Sequence, residues 1–120
     1  MNTVQMLTFA VFLAAGVFYV SAESFAVPAD ETEKIENLIR AVETSSFIFI
    51  RNGIEYSSKK AASHMRMKLS RAGNRIRTAD QFIRYIATKS SITGKPYLVR
   101  LKDGRIVLLS EWLGSILQTM

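Results

Sequence analysis

Asn52-Gly53 is the feature that most restricts how this chain can fold. It interrupts a run of β-forming residues, with Phe47-Ile48-Phe49-Ile50-Arg51 before it and Ile54-Glu55-Tyr56 after it. A type I′ hairpin turn needs positive φ at both central positions, which Asn and Gly tolerate best. The dipeptide therefore predicts two short strands folded back on each other. A second hairpin, Tyr97–Leu101 and Arg105–Leu109, turns at Asp103-Gly104. Leu98 and Val99 point to opposite faces, as do Val107 and Leu108, so the second hairpin reads as central or covered on both sides.

Helical patterns surround the hairpins. Ile35, Leu38, Ile39 and Val42 fall at i, i+3, i+4 and i+7, one apolar stripe of a helix predicted over Thr32–Thr44 and capped by Asp30 or Thr32. Ser57 or Ser58 caps a second helix that runs to Ala72, with Ala61, Ala62, Met65, Leu69 and Ala72 on its apolar side and Gly73-Asn74 as its stop. Thr78-Ala79-Asp80-Gln81 is a capping box, and the helix behind it buries Phe82, Ile83 and Ile86. Ser110 caps a last helix carrying Trp112, Leu113, Ile116 and Leu117. The order is α-ββ-α-α-ββ-α. This is an α+β class, two β-hairpins forming a small antiparallel sheet with about four helices.

The N-terminus has a different character. Met6 to Val20 is apolar apart from Thr8, a stretch of signal-peptide length that falls short of the roughly 20 residues of a transmembrane helix. Val20-Ser21-Ala22 then offers a signal-peptidase site, and polar Glu23-Ser24 follows without a basic stop-transfer cluster. The expected organisation is a signal peptide over 1–22, a linker over 23–31 and one domain over 32–120. The segment before the apolar run lacks Lys and Arg, which keeps an uncleaved anchor as the alternative. The chain has no cysteine, so its core must hold without disulfides. A disulfide-free exported domain points to a bacterial periplasm, or to secretion.

The formal net charge of +6 lies wholly beyond residue 22. Residues 23–45 hold six acids, whereas everything after residue 45 has four acids against fourteen bases. Such a body favours an anionic small molecule, an anionic envelope protein or, by peripheral contact, anionic lipid. Lys60, His64, Lys68 and Arg71 fall along one helical stripe, where neighbouring cations should disfavour protonation of His64. Nucleic acid is not expected: Phe47, Phe49, Tyr56 and Tyr97 belong to the strands that supply the core, and export removes the usual partner.

Signals for catalysis are weak, and neither a cofactor nor a metal site is expected. With one His and no Cys, a His- or thiolate-rich zinc site is unavailable. Thr93-Gly94-Lys95-Pro96 lacks the first glycine and the Ser/Thr of a phosphate loop. Ser90 and Ser91 stand outside a nucleophile elbow. The enzyme reading that is left is a small hydrolase pairing Ser90 or Ser91 with His64.

Phe49-Ile50-Arg51-Asn52-Gly53-x-x-Tyr56, then Ala61-Ala62-x-His64-Met65-x-x-Lys68, form a recognisable pattern. Ala79-x-x-Phe82-Ile83, Ser90-Ser91-x-Thr93-Gly94-x-Pro96-Tyr97-x-x-Arg100 and Trp112-Leu113 extend it. Over about residues 32–118 the chain resembles a bacterial family of small exported proteins catalogued as domain of unknown function 5329. The resemblance implies export and assigns no activity. Family members carry a cysteine at the places held here by Phe47 and Leu101, which implies that a packed contact replaces a bridge and that the two hairpins lie side by side. It also gathers polar residues that a core does not need: Arg51, Asn52, Tyr56, His64, Lys68, Ser90, Ser91 and Arg100. The expectation is a shared ligand-binding pocket near the Ser90–Pro96 loop, with His64 and Lys68 facing it.

Overall fold

The computed structural model describes residues 29–120, so the proposed signal peptide and most of the proposed linker lie outside the described residues. Helix α1 covers Ala29–Thr44, β1 Ile48–Arg51, β2 Ile54–Tyr56 and α2 Ser58–Ala72. A 3-10 turn, Gly73–Arg75, leads to α3, Ala79–Ile86. Strand β3 (Leu98–Arg100), β4 (Ile106–Leu108) and α4 (Leu109–Leu117) complete the domain. The fold is α+β, with the strands in one antiparallel sheet ordered β2-β1-β3-β4.

Both hairpins turn where the sequence predicts, but only the first has positive φ at both central residues. Asn52 and Gly53 have φ of 52° and 77°. At the second hairpin Leu101 N–H donates to Arg105 C=O at 2.8 Å, and Gly104 carries φ of 91°. Ile48 pairs with Arg100 and Phe49 with Val99, so the hairpins meet through β1 and β3. One step further along this register Phe47 stands opposite Leu101, and both side chains pack against the core. The side-by-side arrangement implied by the missing cysteine pair is therefore present. Trp112 closes over it from α4, with its ring 5.7 Å from Phe47 and 6.1 Å from Phe49.

The stripe on α1 is buried as a unit, with Leu38, Ile39 and Val42 wholly inaccessible. These residues meet Phe49 and Val99 from the sheet and Ala62, Met65, Phe82 and Leu113 from the other helices in one core. Alongside, Arg66 on α2 grips Glu36 on α1 through both carboxylate oxygens, at 2.6 and 2.8 Å.

Several local expectations change. Helix α1 is already formed at Ala29, ahead of the expected Thr32, because Asp30 and Glu31 serve as first-turn acids rather than as cap and linker. Glu31 also accepts from Ala79 N–H at 3.2 Å, so α1 satisfies an orphan amide at the start of α3. Ser57 is the cap of α2 and accepts from Lys60 N–H at 3.2 Å. Thr78 caps α3, but Gln81 reaches past it to accept from Arg77 N–H at 2.7 Å.

Ser110 caps nothing. Helix α4 starts at Leu109, directly behind β4, and Leu109 N–H donates to Tyr97 C=O at 3.0 Å. Pairing with the neighbouring strand carries on through this amide, so the chain passes from β4 into the helix one residue ahead of Ser110. Ile83 is only partly buried. Strand β3 is central, as its apolar faces suggest, whereas β4 is an edge strand with Ile106 half-exposed.

Candidate functional site

The polar residues gathered by the sequence pattern separate into four places. Arg100 lies across the sheet from Glu55 and makes a two-pronged ion pair with it, at 2.9 and 3.1 Å. The hydrogen bond from Arg100 and its charge hold the exposed Glu55 carboxyl below the usual carboxylate range. Both residues are thereby occupied with each other.

Asn52, Ser90 and Thr93 form a latch between the first hairpin and the 90–96 loop. Asn52 Nδ2 donates to Ser90 Oγ at 3.3 Å, and Thr93 Oγ1 donates to Asn52 Oδ1. Ser90 is 3% exposed, and its Oγ also accepts from the amides of Ile92 and Thr93 at 3.3 and 3.4 Å. Ser91 is exposed on the loop. Ser90 thus holds backbone, and the structure joins neither serine to His64 by a hydrogen bond.

Lys68 leans from α2 to the end of α3. Its Nζ donates to Ile86 C=O at 2.9 Å and to Tyr97 Oη at 3.1 Å, and it sits 5.0 Å from the Tyr97 ring centre. A cation on the last carbonyls of α3 complements the helix dipole. Lys68 ties α2, α3 and β3 together.

The fourth place is different. Arg51, at the end of β1, and His64, one turn beyond Lys60 on α2, face each other with Arg51 Nη1 2.9 Å from His64 Nε2. A guanidinium only donates, so Nε2 accepts and the imidazole is neutral with its proton on Nδ1. Desolvation lowers the His64 pKa below its ordinary value, and the charges of Arg51, Lys68 and Arg71 lower it further. The expected effect of the cationic stripe is therefore present, with burial as the larger cause.

Arg51 lies 6.0 Å above the Tyr56 ring centre, and its Nε is buried with no hydrogen-bond partner. Among the described residues no carboxylate answers Arg51. Glu36 and Glu43 face Arg66, Glu55 faces Arg100, Asp103 faces Arg105 and Glu31 faces Lys34.

Behind this pair lies a cavity of about 340 Å³ between α2 and the sheet. Arg51, Tyr56, Lys60 and His64 line its more exposed side. The inner wall is made of the buried Phe49, Met65, Ile86, Tyr97 and Leu109. Ala61 borders it too, and a methyl side chain on the sheet-facing flank of α2 leaves that space open. The volume lies at the lower end of small-molecule pockets, which combine apolar walls with a few convergent polar groups. Sequence reasoning found Arg51, Tyr56, His64 and the Lys60 stripe but assigned Phe49, Met65 and Tyr97 to the core alone. No sequence signal separates a core wall from a cavity wall.

The model of a family of unknown function, DUF5329, matches residues 29–120, which is the described domain from end to end. The chain belongs to that family. It is also 44% identical over 72 residues to the uncharacterized protein YfeK of Salmonella typhimurium. The match takes in 59% of this chain and 60% of that relative, so less than two thirds of either is covered. No solved structure matches the chain.

Among the described residues no helix is long and apolar enough to cross a membrane, and no three His, Cys, Asp or Glu side chains converge as metal ligands.

Proposed function

We propose that this DUF5329 domain is a non-enzymatic binding module that takes an anionic small molecule into the pocket between α2 and the sheet. One observation carries the reading. Arg51 stands half-buried at the polar side of the cavity with no carboxylate against it, while the similarly half-buried Arg66 and Arg100 have found theirs. A guanidinium is weakly hydrated for a cation and suited to a partly buried anion partner. Its neighbour His64 is a neutral hydrogen-bonding group rather than a second full charge. Tyr56 and Lys60 add a hydroxyl and an exposed ammonium.

The same reading takes the mature domain to be exported to the periplasm, on the strength of the apolar Met6–Val20 run and the Val20-Ser21-Ala22 site that follows it.

The pocket is tested with 1-anilinonaphthalene-8-sulfonate, an apolar anion whose fluorescence rises on burial. Saturable one-to-one binding is expected, weakened by Arg51→Met and blocked by Ala61→Phe, which fills the cavity. Circular dichroism and thermal melting of each variant separate a blocked pocket from a lost fold. Equal binding by wild type and a folded Ala61→Phe protein refutes the pocket.

A further inference from the structure

Resting on that reading, we propose that the pocket takes a linear aliphatic carboxylate, a medium-chain fatty acid, with its carboxylate at Arg51 and its chain along the inner wall. The charge count at the polar side favours a monoanion. Only one of the lining cations, Arg51, is held in place by contacts on both flanks, from His64 at 2.9 Å and the Tyr56 ring at 6.0 Å. Lys60 is exposed and tethered to neither. Lys68 and Arg71 lie further along α2. Lys68 spends its ammonium on Ile86 C=O and Tyr97 Oη, and Arg71 is exposed.

A phosphate monoester carries close to two charges at neutral pH and seeks several fixed donors. This site offers one fixed guanidinium beside a neutral imidazole. That set suits a carboxylate, with His64 Nδ1–H as the remaining neutral donor.

The wall favours a chain over a ring system. Met65 and Met67 border the cavity with flexible, unbranched side chains that adapt to a variable apolar surface. Polar groups cluster on the Arg51–His64 side, apart from the Tyr97 hydroxyl, which Lys68 already occupies; Ser63 is exposed on α2, and no acid is among the lining residues. A ligand with hydroxyls or amides along its length would leave them unpaired against Phe49, Ile86 and Leu109, a cost of about 1–3 kcal/mol for each buried group.

The experiment is displacement of the sulfonate probe from the purified protein by hexanoate, octanoate, decanoate and dodecanoate, each below its micelle concentration. Decanol and decyl phosphate are run in parallel. Affinity is expected to rise about fourfold per added methylene until the chain outgrows the cavity, following the burial free energy of one CH₂ group. Decanoate should bind roughly tenfold to a hundredfold more tightly than decanol, the range of a hydrogen-bonded charge, and Arg51→Met should erase most of that preference.

A probe that binds the pocket but is displaced equally by acid and alcohol, or with no chain-length dependence, overturns the carboxylate assignment and leaves the pocket standing. Tighter binding of decyl phosphate than of decanoate also overturns it. A protein that binds neither the probe nor, by direct titration calorimetry, decanoate overturns both.

Discussion

Replacing Asn52 distinguishes a ligand-binding residue from a structural one, because the structure gives this side chain work of a calculable size. Two variants divide that work. Asn52→Gly keeps the backbone freedom of the turn and removes only the latch to Ser90 and Thr93. Ser90 Oγ still accepts from two amides, so no buried group is orphaned; the lost Ser90 bond costs about 0.5–1.5 kcal/mol, and the exposed Thr93 bond adds little because water replaces it. Glycine adds unfolded-chain entropy worth about 0.4–1 kcal/mol.

Asn52→Ala loses the same latch and leaves at φ of 52° a side chain without the local hydrogen bonding by which Asn tolerates the left-handed region, a penalty of about 1–2 kcal/mol against glycine. Alanine should therefore be the worse of the two by about 1 kcal/mol, and worse than wild type by about 2–3 kcal/mol. At about 4–8 °C per kcal/mol for a domain of this size, the alanine protein melts roughly 8–24 °C lower. Thermal unfolding followed by circular dichroism reads both values. Probe binding at the pocket, measured well below the melting temperature, should stay within twofold of wild type. An alanine variant at least as stable as the glycine one would refute the turn geometry. Loss of binding by a folded Asn52→Gly protein would return Asn52 to the site.

Phe82 is wholly buried where α3 meets the core, so Phe82→Ala should cost about 3–5 kcal/mol in urea unfolding; a loss under 1 kcal/mol would mean the core collapses around the gap. His64 has a lowered folded pKa, set by burial and by the charges of Arg51, Lys68 and Arg71 around it. Below the ordinary histidine range near pH 6.5 the unfolded chain binds a proton that the folded one resists, so stability falls as pH drops through that window and levels off once folded His64 also titrates. His64→Gln should flatten this part of the stability–pH curve, and identical slopes for the two proteins would sink the assignment.

Most of the secondary structure was legible because it rests on short-range chemistry. Positive φ at Asn52-Gly53, the Ser57 and Thr78 caps and the α1 stripe each depend on residues within a turn or two of one another. The errors arose where a partner distant in sequence intervened. Ser110 looked like a cap because its neighbours gave no hint that pairing with Tyr97 would carry the chain from β4 straight into the helix at Leu109.

The site divides along the same line. The helical stripe marked His64 and Lys68, and the family resemblance added Arg51, Tyr56, Asn52, Ser90, Ser91 and Arg100 to the residues worth watching. By itself the sequence determined the element order, the two turns and the excess of positive charge. The tertiary structure decided which of those polar side chains are spent on structure. Arg100 finds Glu55, Lys68 finds the end of α3, and Asn52 finds Ser90. Arg51 finds no carboxylate, and behind it the packing of α2 on the sheet leaves a cavity. Whether a charge is answered depends on which surfaces the fold brings together, and a linear pattern of residue types carries no record of that distance.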